Sequence, residues 1–162
     1  MNPILDSITI RRADLHDDDD ASAVARMIDD YAADAFGDDR RLPPEVVASL
    51  PNGLRSAPGA IALLVEDAGC PVGVAVCFLG FATFSGTSKL NVHDFSISPS
   101  HRRRGLGRRL MRAVIDLAAA EGCGKLTLEV RHDNDAAKAL YAETGFSPGV
   151  TPYEFWTCNL GD

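Results

Sequence analysis

The string Arg102-Arg103-Arg104-Gly105-Leu106-Gly107 has the residue types and spacing to hold an anion. An apolar run, Val92 to Ile97, precedes it and is closed by Ser98-Pro99. Leu106, Leu110, Val114 and Leu117 or Ala118 follow on one helical stripe. A glycine-bearing turn between a strand and a helix start gathers backbone N–H groups and the positive end of the helix dipole at one point, where phosphate is the usual guest. Gly105 and Gly107 let the backbone approach closely. Arg102, Arg103, Arg104 and Arg108 add forked donors that match phosphate oxygens. Two familiar phosphate loops do not fit. No Gly-x-x-x-x-Gly-Lys-Ser/Thr string occurs, and a Gly-x-Gly-x-x-Gly fingerprint fails at Leu110.

About thirty residues on, Lys125 to Val130 reads as a buried strand and Asn134 to Tyr141 as a helix. Gly145-Phe146 is a helix stop, the glycine free to turn left-handed and the phenylalanine packing back. Asn134 and Tyr141 lie seven residues apart and so share a helix face. Together these strings carry a resemblance. Arg-x-x-Gly-x-Gly after a strand ending in Ile-Ser-Pro resembles the coenzyme A loop of the GNAT superfamily of N-acetyltransferases. That superfamily's pattern Asn-x-x-Ala-x-x-Leu-Tyr-x-x-x-Gly-Phe is matched at every named position from Asn134 through Ala137, Leu140 and Tyr141 to Phe146. The resemblance covers residues 90 to 150. The first ninety agree in element order only.

The resemblance implies acetyl transfer from acetyl-CoA to an acceptor amine by direct attack in a ternary complex. Such chemistry needs a neutral amine, a polarised thioester carbonyl and a proton for the departing thiolate. Tyr141 stands where the superfamily keeps its proton donor; its structural alternative is a core tyrosine. His93 is the candidate base, since strand alternation puts Asn91, His93, Phe95 and Ile97 on one face and Val92, Asp94 and Ser96 on the other. A histidine titrates near neutrality, as deprotonating an amine requires, but a core histidine bonded to a carbonyl fits as well. A bulge would exchange His93 and Asp94. The resemblance further implies that the backbone of Phe95, Ser96 and Ile97 holds the pantetheine arm, beside Asn134 and Ala137. Asn134 serves equally as a helix cap. Many members have glycine where Arg103 stands, and arginine fits that position if it keeps negative φ.

Other elements must position these groups. Ser7 to Arg12 is a first strand, and Asp17 to Asp20 signal a helix over Ala21 to Phe36. Pro43-Pro44-Glu45 opens a shorter helix ending near Leu50-Pro51-Asn52-Gly53. Ala60 to Glu66, Pro71 to Phe84 and Leu90 to Ser98 read as consecutive strands, and Tyr153 to Cys158 as a last one. The order β-α-α-β-β-β-α-β-α-β predicts an α/β fold, a mixed sheet with helices on both faces. Phe78, Phe81, Phe84, Tyr31 and Phe36 are pocket candidates, though aromatics so spaced are commonly core.

Composition sets the outer bounds. A chain of 162 residues predicts a single domain over 1–162. Nothing in it has the length of a membrane span, and the first residues lack a basic, apolar leader. The four cysteines form no Cys-x-x-Cys pair and the four histidines are scattered, so a reduced cytoplasmic protein without a metal is expected. The net charge of −7 lies wholly in residues 1–45, which hold twelve Asp/Glu and five Lys/Arg. An acidic chain is a poor nucleic-acid binder, so the six arginines of 102–112 suit one compact polyanion. Asp29, Asp30, Asp34, Asp38 and Asp39 suggest a cationic acceptor, a small molecule or a peptide, unless they only solvate a helix face. Homodimerisation is compatible with the reading. The rival function is a non-catalytic CoA-binding or regulatory module with the same fold.

Overall fold

The computed structural model describes residues 7–150 and 154–160. Asp17 starts the first helix, α1 (Asp18–Ala32), by accepting the Asp20 N–H at 2.9 Å, while Asp18, Asp19 and Asp20 complement the dipole. The helix stops four residues short of Phe36, because the chain doubles back and the Asp38 and Arg40 amides close onto the Ala32 carbonyl. Gly37 permits this turn; a Cβ there would overlap the Tyr31 carbonyl. The second helix, α2 (Pro44–Ser56), begins at the expected proline and runs on through Pro51, burying only Leu54.

Five strands form one sheet in chain order: β1 (Ile8–Arg12), β2 (Ala60–Asp67), β3 (Cys70–Ala82), β4 (Thr87–Ile97) and β5 (Lys125–Leu128). The first four are antiparallel and β5 joins β4 in parallel, through a crossover that holds α3 (Leu106–Ala120). Two cores result. Val24, Met27 and Leu54 pack with Leu64, Val74 and Val76 on one face. Leu106, Leu110, Met111 and Val114 pack with Val65, Leu90 and Val92 on the other. The last helix, α4 (Asp135–Glu143), leans on this second core through Tyr141. Gly145 ends it at φ +98°, with the Phe146 N–H on the Tyr141 carbonyl at 2.9 Å, so the expected helix stop is present.

The final strand is not. Glu154 to Cys158 form no strand, and Phe155 and Trp156 are largely exposed; Tyr153 lies outside the described residues. Alternation of apolar and polar residues creates a strand only where a sheet edge pairs with it, and this segment has no partner among the described strands.

Candidate functional site

β4 and β5 are paired only from Lys89–Lys125 to Val92–Leu128. Beyond Leu128 no strand continues beside β4, which stays bonded to β3 as far as Ile97. Among the described residues, the peptide groups of Phe95, Ser96 and Ile97 therefore have one edge without a strand partner. A cavity of about 610 Å³ opens there, walled by those residues, by the loop after β4, by α4 and by the end of α1.

The loop supplies the anion-binding features. A 3-10 turn, Pro99–His101, follows β4. Asp67 anchors it, with His101 Nε2 at 3.2 Å and Arg104 at 3.8 Å. Hydrogen bonds from Ser7 and then His101 hold the Asp67 carboxyl below its ordinary range, outweighing its desolvation. Gly105, at φ +78°, caps α3 without a side-chain bond, and no acidic residue lies in the first turn. The leading amides thus keep their donors for a ligand. Gly107 lines the cavity, and a Cβ on it would stand 3.2 Å from Leu140 Cδ2.

Arg103 requires a correction. Its φ is +58°, not negative, so this arginine occupies the left-handed region that costs an L-residue about 1–2 kcal/mol. The chain must reverse between the 3-10 turn and α3, and it does so at a position where glycine would be unstrained.

Nine of the expected residues line the cavity: Phe95, Ser96, Ile97, Arg102, Arg103, Gly107, Asn134, Ala137 and Tyr141. Arg104, Gly105, Leu106 and Arg108 do not. Leu106 is a core residue, Arg104 faces Asp67, and Arg108 is paired at 2.5 Å with Glu143 on α4. Asn134 lines the wall and caps α4, accepting the Ala137 N–H at 3.1 Å. Of the aromatics, Tyr31 and Phe36 are lining residues, whereas Phe78 packs on the α1 core and Phe81 and Phe84 are exposed. Glu129, Val130, Arg131 and Phe155 are lining residues that motif reasoning missed. They carry no local pattern and arrive by chain path alone.

Tyr141 stands edge-on to Phe95 with ring centroids 6.2 Å apart. Burial, then the nearby Tyr31, push its hydroxyl up to about 12, so it holds its proton through neutral pH. Tyr31 is also raised, by burial and by Asp94.

His93 is not on the face expected of it. Val76 pairs with Asp94 and Cys77 with Val92, which leaves His93 as an extra residue in a bulge. The alternation breaks there: Leu90 and Val92 before it, and Phe95 and Ile97 after it, all enter the α3-side core. His93 instead stacks edge-on against Phe78 at 5.5 Å, toward the α1 side, and is exposed. It does not line the cavity. Asp94 lies beside it, its carboxyl raised by burial against the opposing pull of His93.

Among the described residues no cluster of three His, Cys, Asp or Glu is placed to hold a metal, and no helix is long and apolar enough to cross a membrane.

Comparison with known proteins places this architecture. The profile of the Acetyltransferase (GNAT) family matches residues 24–146. The N-alpha-acetyltransferase RimI of Mycobacterium tuberculosis is 41% identical over 76 residues, 46% of each chain. Thialysine N-epsilon-acetyltransferase of Bos taurus is 31% identical over 89 residues, 55% of this chain and 51% of its own. The matched stretch thus spans about half the length of these curated relatives. A ribosomal-protein-alanine N-acetyltransferase from Brucella melitensis superposes with a TM-score of 0.72 at 19% identity, over 93% of this chain and 99% of its own. A soil-metagenome aminoglycoside acetyltransferase solved with sisomicin gives 0.76 at 14% identity, over 96% and 99%. These two establish the fold. With three-quarters of its length inside the family profile, the chain belongs to the GNAT family of acetyltransferases.

Proposed function

We propose that the protein is an N-acetyltransferase that takes acetyl-CoA as donor and a primary amine as acceptor in one ternary complex. The observation that carries this is the meeting, in one cavity, of a helix start without a side-chain cap, a strand edge unpaired among the described residues and the Tyr141 hydroxyl. The donor fits the residues present. The amides at the start of α3, with Arg102 and Arg103, suit a diphosphate. Gly107 leaves room for it, and the free peptide edge of Phe95 to Ile97 suits the amides of an extended arm.

Bound acetyl-CoA supplies a thioester carbonyl carbon open to attack and a thiolate as leaving group. Backbone N–H groups on the free β4 edge can polarise that carbonyl. As the acceptor nitrogen bonds to the carbonyl carbon and the C–S bond breaks, Tyr141 gives its hydroxyl proton to the sulfur. The ammonium proton lost by the nitrogen goes to water, and water returns a proton to the Tyr141 oxygen. Neither Asp94 nor His93 lines the cavity, but Asp94 is close enough to Tyr31 of its wall to raise that hydroxyl, so it takes the base's place from the exposed His93. The acceptor is a small molecule or a peptide end. Relatives named for ribosomal-protein alanine, thialysine and an aminoglycoside all point to amines.

The withdrawal of His93 from the cavity favours a second reading, a CoA-binding module without turnover. Thiol release from acetyl-CoA across a panel of amines, with CoA binding measured separately, decides between them. Binding with thiol release supports the enzyme, binding alone supports the module, and no binding defeats both.

A further inference from the structure

Arg102 joins the two walls of the cavity. Its Nε–H donates to the Ile97 carbonyl at 2.8 Å, within its own wall. Its Nη2 donates to Asp34 Oδ2 at 2.5 Å, across to the other. Asp34 stands two residues past α1 and also accepts the Phe36 N–H at 3.2 Å. Its side chain is 14% exposed, against 42% for Arg102. The segment around Asp34 is tied to the far lip as well, where Arg131 donates to the Ala35 carbonyl at 3.3 Å and lies over the Phe36 ring. The other aspartates of this helix are differently placed. Asp29 and Asp30 are both paired with Arg41, so these two are not free to attract a cation. Asp34 lines the cavity itself, and its present counter-ion belongs to the loop suited to the donor.

We propose that Arg102 is shared in time between Asp34 and the phosphates of the donor, so that donor binding uncovers the Asp34 carboxylate for a second cationic group of a diamine or polyamine acceptor. This rests on the acetyl-CoA reading above. A diphosphate offers a guanidinium more charge and more acceptor oxygens than one carboxylate does. Nε can stay on Ile97 while the Nη arm changes partner. The carboxylate left behind keeps the Phe36 N–H as a donor but loses its ion-pair partner, which is a cost. A cation entering the cavity relieves that cost. It cannot be the attacking nitrogen, which must be neutral to react, so Asp34 selects an acceptor that carries a second positive charge. Glu129 also lines the cavity, with the Asn91 amide donating to it at 3.3 Å, and Arg131 there is paired with Asp133.

Donor and acceptor must then favour each other's binding by one and the same factor, about 5-fold or more. Calorimetry tests this, with coenzyme A as the unreactive donor and 1,4-diaminobutane and butylamine as probes. In the wild-type protein, saturating coenzyme A should tighten diaminobutane at least 5-fold and butylamine hardly at all. In Asp34→Asn the coupling should vanish while coenzyme A binds as tightly as before or tighter, and Asp34→Glu should restore part of it. In turnover, Asp34→Asn should raise KM for diaminobutane with little change in kcat. Coenzyme A that fails to bind the wild type overturns the donor reading and this proposal together. Coenzyme A that binds while diaminobutane affinity ignores it, or diaminobutane that does not bind at all, overturns this proposal alone. Coupling that survives Asp34→Asn overturns it too. The wild-type arm stands without any variant.

Discussion

The two walls of the cavity are made of different materials. The donor-side wall is mostly backbone: a helix start, a left-handed turn and a strand edge, contributed by Phe95 to Gly107 and completed by α4. The acceptor-side wall is side chains gathered from separate places, with Tyr31 in the last turn of α1, Asp34 and Phe36 just after it, Arg131 after β5 and Phe155 near the C-terminus. A backbone wall fixes one ligand shape and is written in short strings, because glycines and turn residues determine φ locally. A side-chain wall can change with little effect on the fold. The difference implies that donor binding should be fragile to backbone crowding, and acceptor choice to single charges.

The largest expected effect is on the backbone wall. Gly107→Glu places a carboxylate at the positive end of α3 and a side chain against Leu140, whose Cδ2 stands 3.2 Å from the new Cβ position. Wild-type protein with acetyl-CoA at a hundred times its dissociation constant should gain about 2.7 kcal/mol. The variant should lose that thermal shift altogether. Gly107→Ala, which asks Leu140 to move only a few tenths of an ångström, should keep most of it. Equal shifts in wild type and Gly107→Glu would show that the donor wall lies elsewhere.

The next effect is chemical. Tyr141→Phe keeps the ring against Phe95 and Phe146 and removes only the hydroxyl. Turnover should fall about 100-fold or more while acetyl-CoA affinity holds. Undiminished turnover in a chemistry-limited assay would take Tyr141 out of the mechanism.

The same contrast explains what could be read from the chain. Arg102 to Gly107 and Asn134 to Phe146 were legible because each is a local device: a turn, a cap, a helix stop. Six of the nine expected lining residues lie in those strings, and Phe95, Ser96 and Ile97 came with the family resemblance. His93 was misplaced because period-2 alternation assumes an unbroken ladder, and the bulge between Val92 and Asp94 shifts parity by one. No residue type marks that bulge. The strand expected over Tyr153 to Cys158 failed for a related reason, since its pattern describes a pairing that the described sheet does not make. Arg131 and Phe155 could not be read at all, because their place in the wall depends on where β5 and the C-terminal segment lead the chain.

A smaller effect separates the two bulge neighbours. Burial raises the Asp94 carboxyl above its ordinary value, and His93 only partly offsets this. A carboxyl raised on folding binds its proton more tightly in the native state, so it adds no penalty at low pH. It costs stability as pH rises above the unfolded value near 4 and through the folded one. Asp94→Asn should therefore raise Tm at pH 8 more than at pH 4, and lower turnover if Asp94 receives the amine proton. His93→Ala should change Tm less, since His93 is exposed. A Tm gain in Asp94→Asn that is the same at both pH values would refute the buried-carboxylate account.

The smallest effect returns to the donor wall and asks what its arginine is for. Arg103 lies at φ +58°, a conformation that costs an L-residue about 1–2 kcal/mol and glycine almost nothing. Glycine also frees the unfolded chain by about 0.5–1 kcal/mol, which offsets part of the relief. Arg103→Gly should therefore stabilise the fold by a net of about 0–1.5 kcal/mol, a rise of up to a few degrees in Tm. The same change removes a guanidinium from the cavity, so acetyl-CoA should bind a few-fold more weakly, and more so at low salt. Higher Tm with weaker donor binding would mean that the loop accepts strain in exchange for a phosphate contact. Higher Tm with unchanged binding would mean that the amides of the turn hold the phosphates and the Arg103 side chain is incidental. A clearly lower Tm would contradict the left-handed backbone itself, because glycine would then relieve less than its unfolded-chain entropy costs.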